Sequence, residues 1–528
     1  MNGMMFNVPA PAPGEALGLM MAAAAAIPEA DPYYWPGSVL LWGPPGQGKT
    51  ALAAEALPRR YAGAGALLLE ARARGIPPEE VMADGGWIPA AEDLGMAARK
   101  GERPGPEVPS LRAMARVALR AWLAGREALL EEAARGWNWR RLVRPVAALC
   151  PSLEVPDLLG VLAEGIRDGE AVTLWRRPAW LPREGHGVLV LDDFPASSRA
   201  EVPRAAANLI QFAALSGVRD PEAEAEIAYR LPPYWQVVGT GNRPRDVGGL
   251  LRMPEAPVRN RALQLLVGPP DEEATLPLFA DEAERERIRA WAAAHAPARL
   301  AYARAAGWPA AIVAYLALWP EMAAVPAAVE GIERAAFASW RSWEMAAWTL
   351  AAISREAARV PAGAERARQL AALVLEAAVG REVAADFLAV MGEALASPRL
   401  PDPEGILGDP DRAPVPVFEA DWEAARPAAI WIALEAAAAA AYRAHARGAS
   451  VVPAARYLLR AAGEIQRAME AGAAGPMDHA AAILAEMARM PGQDAALMQS
   501  GVLQAVMRIP ALRAAILPAL GPAGGGQP

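Results

Sequence analysis

The run Ser38-Val39-Leu40-Leu41-Trp42-Gly43-Pro44-Pro45-Gly46-Gln47-Gly48-Lys49-Thr50 decides how this chain is read. Its apolar residues Val39 to Trp42 form a short buried strand, a glycine and proline loop follows, and Ala51 to Leu57 continues as a helical run. Gly43 to Thr50 satisfies GxxxxGK[ST], the pattern of a loop that closes on a helix N-terminus and turns its backbone N–H groups towards a phosphate. Glycines let the N–H groups of residues 46 to 50 converge without Cβ clashes, with Pro44, Pro45 and Gln47 completing the loop. In that geometry Lys49 reaches β- and γ-phosphate oxygens, and the Thr50 hydroxyl is placed to ligate Mg²⁺. Of 52 basic residues only Lys49 and Lys100 are lysines, and Thr50 is one of five threonines. The arginine bias, with heavy Ala, Gly and Pro usage, reads as a drift towards GC-rich codons, against which a retained lysine needs a reason.

A phosphate loop of this kind needs an acid at the end of a neighbouring buried strand. Gly187-Val188-Leu189-Val190-Leu191-Asp192-Asp193-Phe194 supplies two. Asp192 is expected in the Mg²⁺ shell and Asp193 beside the attacking water, which it orients or deprotonates. A third run, Gln236 to Thr240, ends in Gly241-Asn242-Arg243-Pro244. The Asn242 amide carries a donor and an acceptor together, and so suits contact with both the γ-phosphate and the lytic water.

Outward from these motifs, strand-like runs occupy only the first half: Val39 to Trp42, Leu142 to Leu149, Val188 to Leu191, Gln236 to Thr240 and Leu263 to Val267. They are short, continuous and separated by helical segments, the pattern of a parallel sheet covered on both faces. Beyond about residue 280, alanine-rich helical periodicity takes over. The expected fold is α/β, with a parallel-sheet core, a helical lid and an all-helical C-terminal region. The divisions read as an N-terminal segment 1–29, a nucleotide-binding domain 30–275, a lid 276–358, a helical domain 359–520 and a tail 521–528 expected to be disordered. Residues 92–110 and 397–417 concentrate Pro, Gly and charge and read as loops. About 140 positions separate Lys49 from Asp192, roughly 80 more than a compact path between strands requires. The excess, about 60–140, is helical in pattern. Ser110 precedes an amphipathic helix expected to run to Gly136, either as an inserted docking module or as helices packed on the core.

Composition narrows the function classes. A single cysteine, Cys150, excludes an internal disulfide framework, and the four histidines stand in no ligand spacing, so no metal bound by protein side chains alone is expected. Net charge −8 argues against a nucleic-acid-coating protein. The apolar stretch Leu17 to Ile27 lacks the basic residues of a secretory signal, since none occurs before Lys49, so a cytoplasmic location is expected. No uncharged apolar run reaches the roughly 20 residues that cross a bilayer; Ala428 to Ala441 is shorter and contains Glu435.

The order of phosphate loop, Leu-Asp-Asp strand and Thr-Gly-Asn strand resembles the AAA+ superfamily and, within it, the MoxR-like ATPases. Further strings carry the resemblance over roughly residues 30–355: Asp157 to Gly160, Trp180-Leu181-Pro182 with Gly185, Leu231 to Val238, Val258-Arg259-Asn260-Arg261, Trp319-Pro320-Glu321 and Phe337 to Glu344. It implies an arginine finger at Arg261, with Arg259 as the alternative, reaching a neighbouring subunit's γ-phosphate, and a sensor arginine at Arg341 serving its own chain's nucleotide. Trp340 and Trp343 read as lid core. Two departures stand out: the family's Asp-Glu is Asp192-Asp193, one methylene shorter, and Ala262 follows Arg261 where an aromatic is usual.

The resemblance further implies ATP and Mg²⁺ as cofactors, a homo-oligomeric ring, hexameric in the family, and a protein client such as one with a von Willebrand factor A domain. The leading expectation is an ATPase that remodels or matures a partner protein. Two other readings compete with it: a nucleic-acid motor or loader, and an ATP-gated scaffold in which Asp193 hydrolyses slowly.

Overall fold

The computed structural model describes residues 13–31, 34–89, 108–135, 139–154, 156–157, 160–167, 170–176, 178–194, 201–216, 227–242, 256–267, 277–329, 332–395, 400–417, 427–473 and 475–520. The chain divides into two units, one of Met1–Leu278 with Val325–Ala384 and one of Phe279–Ala324 with Ala385–Pro528. The division falls differently from the expected lid. Residues 279–324 belong to the helical unit and 325–358 to the α/β unit, because burial pairs each segment with a different core.

The α/β unit is built on five parallel strands: β1 Val39–Trp42, β2 Arg144–Leu149, β3 Gly187–Asp192, β4 Trp235–Gly241 and β5 Leu263–Leu266. Their order is β2-β3-β4-β1-β5, so all five expected strands join one sheet. β1 is paired on both sides, Val39 opposite Val238 and Leu263, Trp42 opposite Gly241 and Leu266. It is buried throughout, as are β4 and all of β3 except Asp192, which explains their continuous apolar character. Leu40, Trp42, Leu189, Leu191 and Val237 share a core with Phe194, Leu209 and Ile210. Two antiparallel hairpins not expected from the sequence, Val161–Arg167 with Glu170–Arg176 and Ala214–Ser216 with Ile227–Arg230, lie in the connections. A two-residue pairing, Ala328–Val329 with Ile332–Glu333, is the strand structure beyond residue 280 among the described residues.

The N-terminal apolar stretch is a core helix, α1 Pro13–Ala25, buried from Ala16 to Ala25. After the phosphate loop, α2 runs through Lys49–Ala51, a π-helical turn Leu52–Ala56 and Leu57–Ala73. Buried Gln236 of β4 ties these parts, accepting from the Tyr61 hydroxyl (2.8 Å) and donating to Met20 O and Gly37 O (2.9 Å each). The helix expected after Ser110 forms as α3 Leu111–Leu123, with the Ser110 hydroxyl accepting from Ala113 N at 3.3 Å. It stops short of Gly136, because Gly125 turns the chain at φ +67° into a second helix, α4 Glu127–Arg135. Trp122 of α3 covers Gly18 of α1 and donates from its indole to Gly14 O at 2.8 Å, so this helical excess is packed into the first unit. Arg120, also on α3, is buried in an ion pair with Glu356 at 2.7 Å. Most of the expected loop 92–110 and the tail 521–528 lie outside the described residues. Within 397–417 a short helix, Pro403–Gly408, forms because Asp402 caps the Glu404 and Gly405 N–H groups.

The second unit is helical, with a core rich in alanine that includes Ala433, Ala437, Ala440, Ala454, Ala461 and Ala480. Buried within it is a polar cluster. Arg304 holds Glu435 through two contacts of 2.7 Å and Glu486 at 2.6 Å, while His479 meets Glu435 at 2.6 Å and the Tyr442 hydroxyl donates to Glu486. Among the described residues no helix is long and apolar enough to cross a membrane, and Glu435 sits inside the alanine-rich helix Pro427–Ala446. Burial alone would raise the Glu435 carboxyl, but Arg304, with His479 adding to it, holds it down at about 2. Its stabilising contribution is therefore complete above the ordinary value of 4.5 and is lost as pH falls from there through about 2. Glu435→Ala is expected to destabilise this unit towards the low end of about 3–5 kcal/mol, because buried Arg304 loses two of its carboxylate contacts and keeps the one to Glu486. Urea unfolding checks it, and a midpoint within error of the parent at neutral pH would show that the cluster carries no such energy.

Candidate functional site

Three adjacent strands deliver the candidate residues to one edge of the sheet. β1 leads into Gly43, β3 ends at Asp192, and Asn242 follows β4, which lies between them. The phosphate loop is seated by two backbone contacts, Gly43 N–H to Gly241 O at 3.2 Å and Val267 N–H to Trp42 O at 2.6 Å. A Cβ on Gly43 would sit 2.0 Å from the Val267 carbonyl oxygen, so this glycine permits a close backbone approach. Gly46 and Gly48 are needed for another reason: they turn at φ +80° and +72°. Gly48 caps α2, its carbonyl accepting the Leu52 N–H at 2.9 Å. Pro45, Gly46, Gln47, Gly48 and Thr50 are exposed, Pro44 is half-buried, and Lys49 is buried.

Side chains then converge. Lys49 Nζ donates to Gly43 O and Pro44 O at 2.8 Å each and to Asn242 Oδ1 at 3.0 Å, so the ammonium is drawn under the loop and joined to the third strand. Asp192 Oδ1 accepts from the Thr50 hydroxyl at 2.5 Å and from the Thr240 hydroxyl at 2.6 Å. The Thr240 oxygen in turn accepts the Asp193 N–H at 3.2 Å. Thr240 is a residue the sequence reading passed over. The signal was present, since the scarcity of threonine that singles out Thr50 applies equally to it. Thr50 and Asp192 present hard oxygen donors of the kind Mg²⁺ takes, and the loop at a helix N-terminus suits a phosphate. Among the described residues no cluster of three or more His, Cys, Asp or Glu could hold a metal, so a cation at this place would need further ligands from water or a bound anion.

Asp193 leaves the strand in the left-handed region, at φ +47°, a conformation that aspartate tolerates better than most residues. Partial burial pushes its carboxyl up from 3.8, neighbouring Asp192 adds to the rise, and Lys49 opposes it. Cys150, just after β2, is buried, and its thiol is pushed up to about 12 by that burial and by the two aspartates. It therefore stays protonated and is no nucleophile.

The arginines are placed differently. Arg259 is buried, donates to Arg334 O and stands over the Phe337 ring at 5.9 Å, and its carbonyl accepts from Gln264 at 2.7 Å. These contacts hold Arg259 within the unit, whereas Arg261 is half-buried. Arg261 precedes β5, whose first residue pairs with Val39, so it lies at the edge where the strands begin, about 13 Å of strand away from the phosphate loop. Burial disfavours the charged form of Arg261, and the Arg341 charge disfavours it further. Helix Trp340–Ala357, whose first turn carries Arg341, is anchored by Ser339, which donates to Asn260 Oδ1 at 2.6 Å. Trp343 is fully buried, as expected of core. Arg243 and Pro244 lie outside the described residues.

Two glycine substitutions separate space from torsion. Gly43→Ala is expected to lower stability by about 1–3 kcal/mol or more, since backbone atoms must move apart. Gly48→Ala, which meets nothing within 4 Å, should cost only about 1 kcal/mol of left-handed strain. Equilibrium urea unfolding of both variants reads the difference, and equal or reversed losses would contradict the close approach at Val267.

No protein-family model, curated protein or solved structure matches the chain.

Proposed function

We propose that this chain is a MoxR-like AAA+ ATPase that binds ATP with Mg²⁺ on the Gly43 to Thr50 loop, hydrolyses it as a ring of identical copies, and uses the cycle to remodel or mature a partner protein. One observation carries the reading: Lys49, Thr50, Asp192, Asp193 and Asn242, carried at or after the ends of three separate strands, meet beside a helix N-terminus. That is the set of groups in-line attack of water on a phosphate needs, since the transition state asks for charge neutralisation and orientation more than covalent chemistry.

Each residue has a task that follows from its environment. Lys49 exchanges its carbonyl partners for phosphate oxygens without leaving the loop. Thr50 and Asp192 would hold Mg²⁺, which neutralises phosphate charge when bound. Thr240 keeps the Asp192 carboxylate turned to that position. Asp193, whose carboxyl is pushed up by partial burial and by neighbouring Asp192, would orient the attacking water and accept its proton. Asn242 bonds Lys49 through Oδ1 and keeps its amide N–H groups for a phosphate oxygen or water. Arg261, at the far edge of the sheet, is suited to a neighbouring copy's nucleotide, which makes activity depend on assembly. A client with a von Willebrand factor A domain is the partner the resemblance suggests.

Lys49→Ala is expected to weaken ATP binding at least tenfold, about 1.4 kcal/mol, and to abolish turnover, as read by calorimetry and phosphate release. Unchanged affinity and rate would remove the phosphate-loop assignment. Arg261→Ala should bind ATP within a few-fold of the parent yet lose about a thousandfold in hydrolysis. A normal rate in this variant would take away the finger.

A further inference from the structure

Arginines gather in the first unit where α3 meets the C-terminal end of helix Trp340–Ala357, around the buried carboxylate of Glu356. Glu356 holds Arg120 Nε at 2.7 Å and meets Arg359 at 3.9 Å. Arg116, one turn before Arg120 on α3, stands 4.0 Å from the same carboxylate, beyond hydrogen-bond reach. A further turn back, Arg112 pairs with exposed Glu29 at 2.6 Å. Arg355 precedes Glu356, is exposed, and forms no ion pair among the described residues. Five guanidiniums therefore stand around two carboxylates, in a chain whose net charge is −8.

Holding the fold accounts for only some of them. Arg120 donates to Pro78 O, Glu79 O and Val81 O, and Arg359 donates to Glu79 O, so these two brace the chain. By contrast, Arg112 Nε and Arg116 Nε are buried with no hydrogen-bond partner. Arg112 is also the second residue of α3, where a cation works against the helix dipole. Partial burial disfavours the charged forms of Arg112 and Arg355, the Arg116 charge disfavours both further, and Glu29 opposes the shift in each. Guanidiniums stay charged all the same, so the repulsion among them persists until an anion relieves it.

We propose that Arg112, Arg116 and Arg355 form a binding site for a compact polyphosphate anion, separate from the Gly43 to Thr50 loop. Adjoining phosphates supply the several charged acceptor oxygens that Glu29 and Glu356 do not. Size favours the same ligand. Residues one turn apart lie about 6 Å apart along a helix, a span that linked phosphates cover, whereas nucleic-acid strands call for a longer basic track. The bound anion joins α3 to helix Trp340–Ala357 and stabilises the unit by mass action. Free inorganic polyphosphate and the phosphate chain of a nucleotide share this chemistry, and the experiment separates them.

The full-length chain carrying Lys49→Ala, which disables the phosphate loop, is titrated by calorimetry with inorganic tripolyphosphate and, separately, with ATP. One site per chain is expected. Tighter binding of tripolyphosphate assigns it to free polyphosphate, and tighter binding of ATP assigns it to a nucleotide. Arg116→Gln and Arg355→Gln, each added to Lys49→Ala, should weaken the preferred anion at least tenfold, and Arg116→Lys, which keeps the charge without the planar fork, should weaken it less. Because like charges are relieved, the ligand-free Arg355→Gln chain should unfold in urea at a midpoint equal to or above that of its parent.

No binding of either anion to the Lys49→Ala chain, or binding that both glutamine variants leave within twofold, would overturn the proposal. A lowered urea midpoint for Arg355→Gln would make Arg355 a brace of the fold and overturn it too. Duplex DNA or polyglutamate that binds more tightly than both phosphate probes, and is weakened by the same variants, would assign the patch to a nucleic acid or an acidic protein instead. Tripolyphosphate binding that is the same with and without Lys49→Ala would count against the phosphate loop and leave this site standing.

Discussion

Four residues of β1, hydrogen-bonded in parallel to β4 on one side and β5 on the other, set the register on which the α/β unit depends. The strand ends of β1 and β4 come level at Trp42 and Gly241, and Val267 closes over Gly43 from β5. A slip of one residue would exchange the faces of Leu40 and Leu41 and drive the loop backbone into Val267. The same register brings Lys49 within reach of Asn242, and Thr50 and Thr240 onto a single oxygen of Asp192. Packing and chemistry are therefore specified by one set of hydrogen bonds.

Electrostatic sorting builds on that frame. Asp192 and Asp193 are adjacent in sequence but have different surroundings: two hydroxyl donors hold the first, while the second turns out of the strand and becomes more basic. The arginines divide in a similar way. Arg120, Arg259, Arg304 and Arg334 are buried against carboxylates or carbonyls and hold elements together, whereas Arg261 is half-buried. In a chain whose basic residues are nearly all arginine, partners and burial distinguish structural cations from available ones.

The helical unit follows a different logic. Alanine gives little side-chain area per residue and weak specificity, since one alanine face resembles another. Among such surfaces the Arg304, Glu435, Glu486 and His479 contacts, which join helices Glu282–Ala305, Pro427–Ala446 and Met477–Arg489, give the packing a defined partner choice. Charges of this kind add less to net stability than their geometry suggests, because desolvation opposes them.

The sequence by itself determined the five strands of the sheet, the glycine loop between β1 and α2, the acids closing β3 and the amide after β4. Each is written in a local pattern: continuous apolar runs, glycines at positions of positive φ, rare Lys and Thr where arginine and alanine prevail. Tertiary structure alone decided the rest, because it depends on contacts between residues far apart in the chain. Thr240 acquires meaning only when β4 lies beside β3. The buried position of Arg259 turns on what Arg334 and Phe337 offer to it. The place of Arg341 depends on a hydrogen bond spanning from Asn260 to Ser339. The boundary between the units was illegible for a related reason: helical periodicity says that residues 279–358 are helical, but which core covers each helix is settled by complementary burial, which no local pattern records.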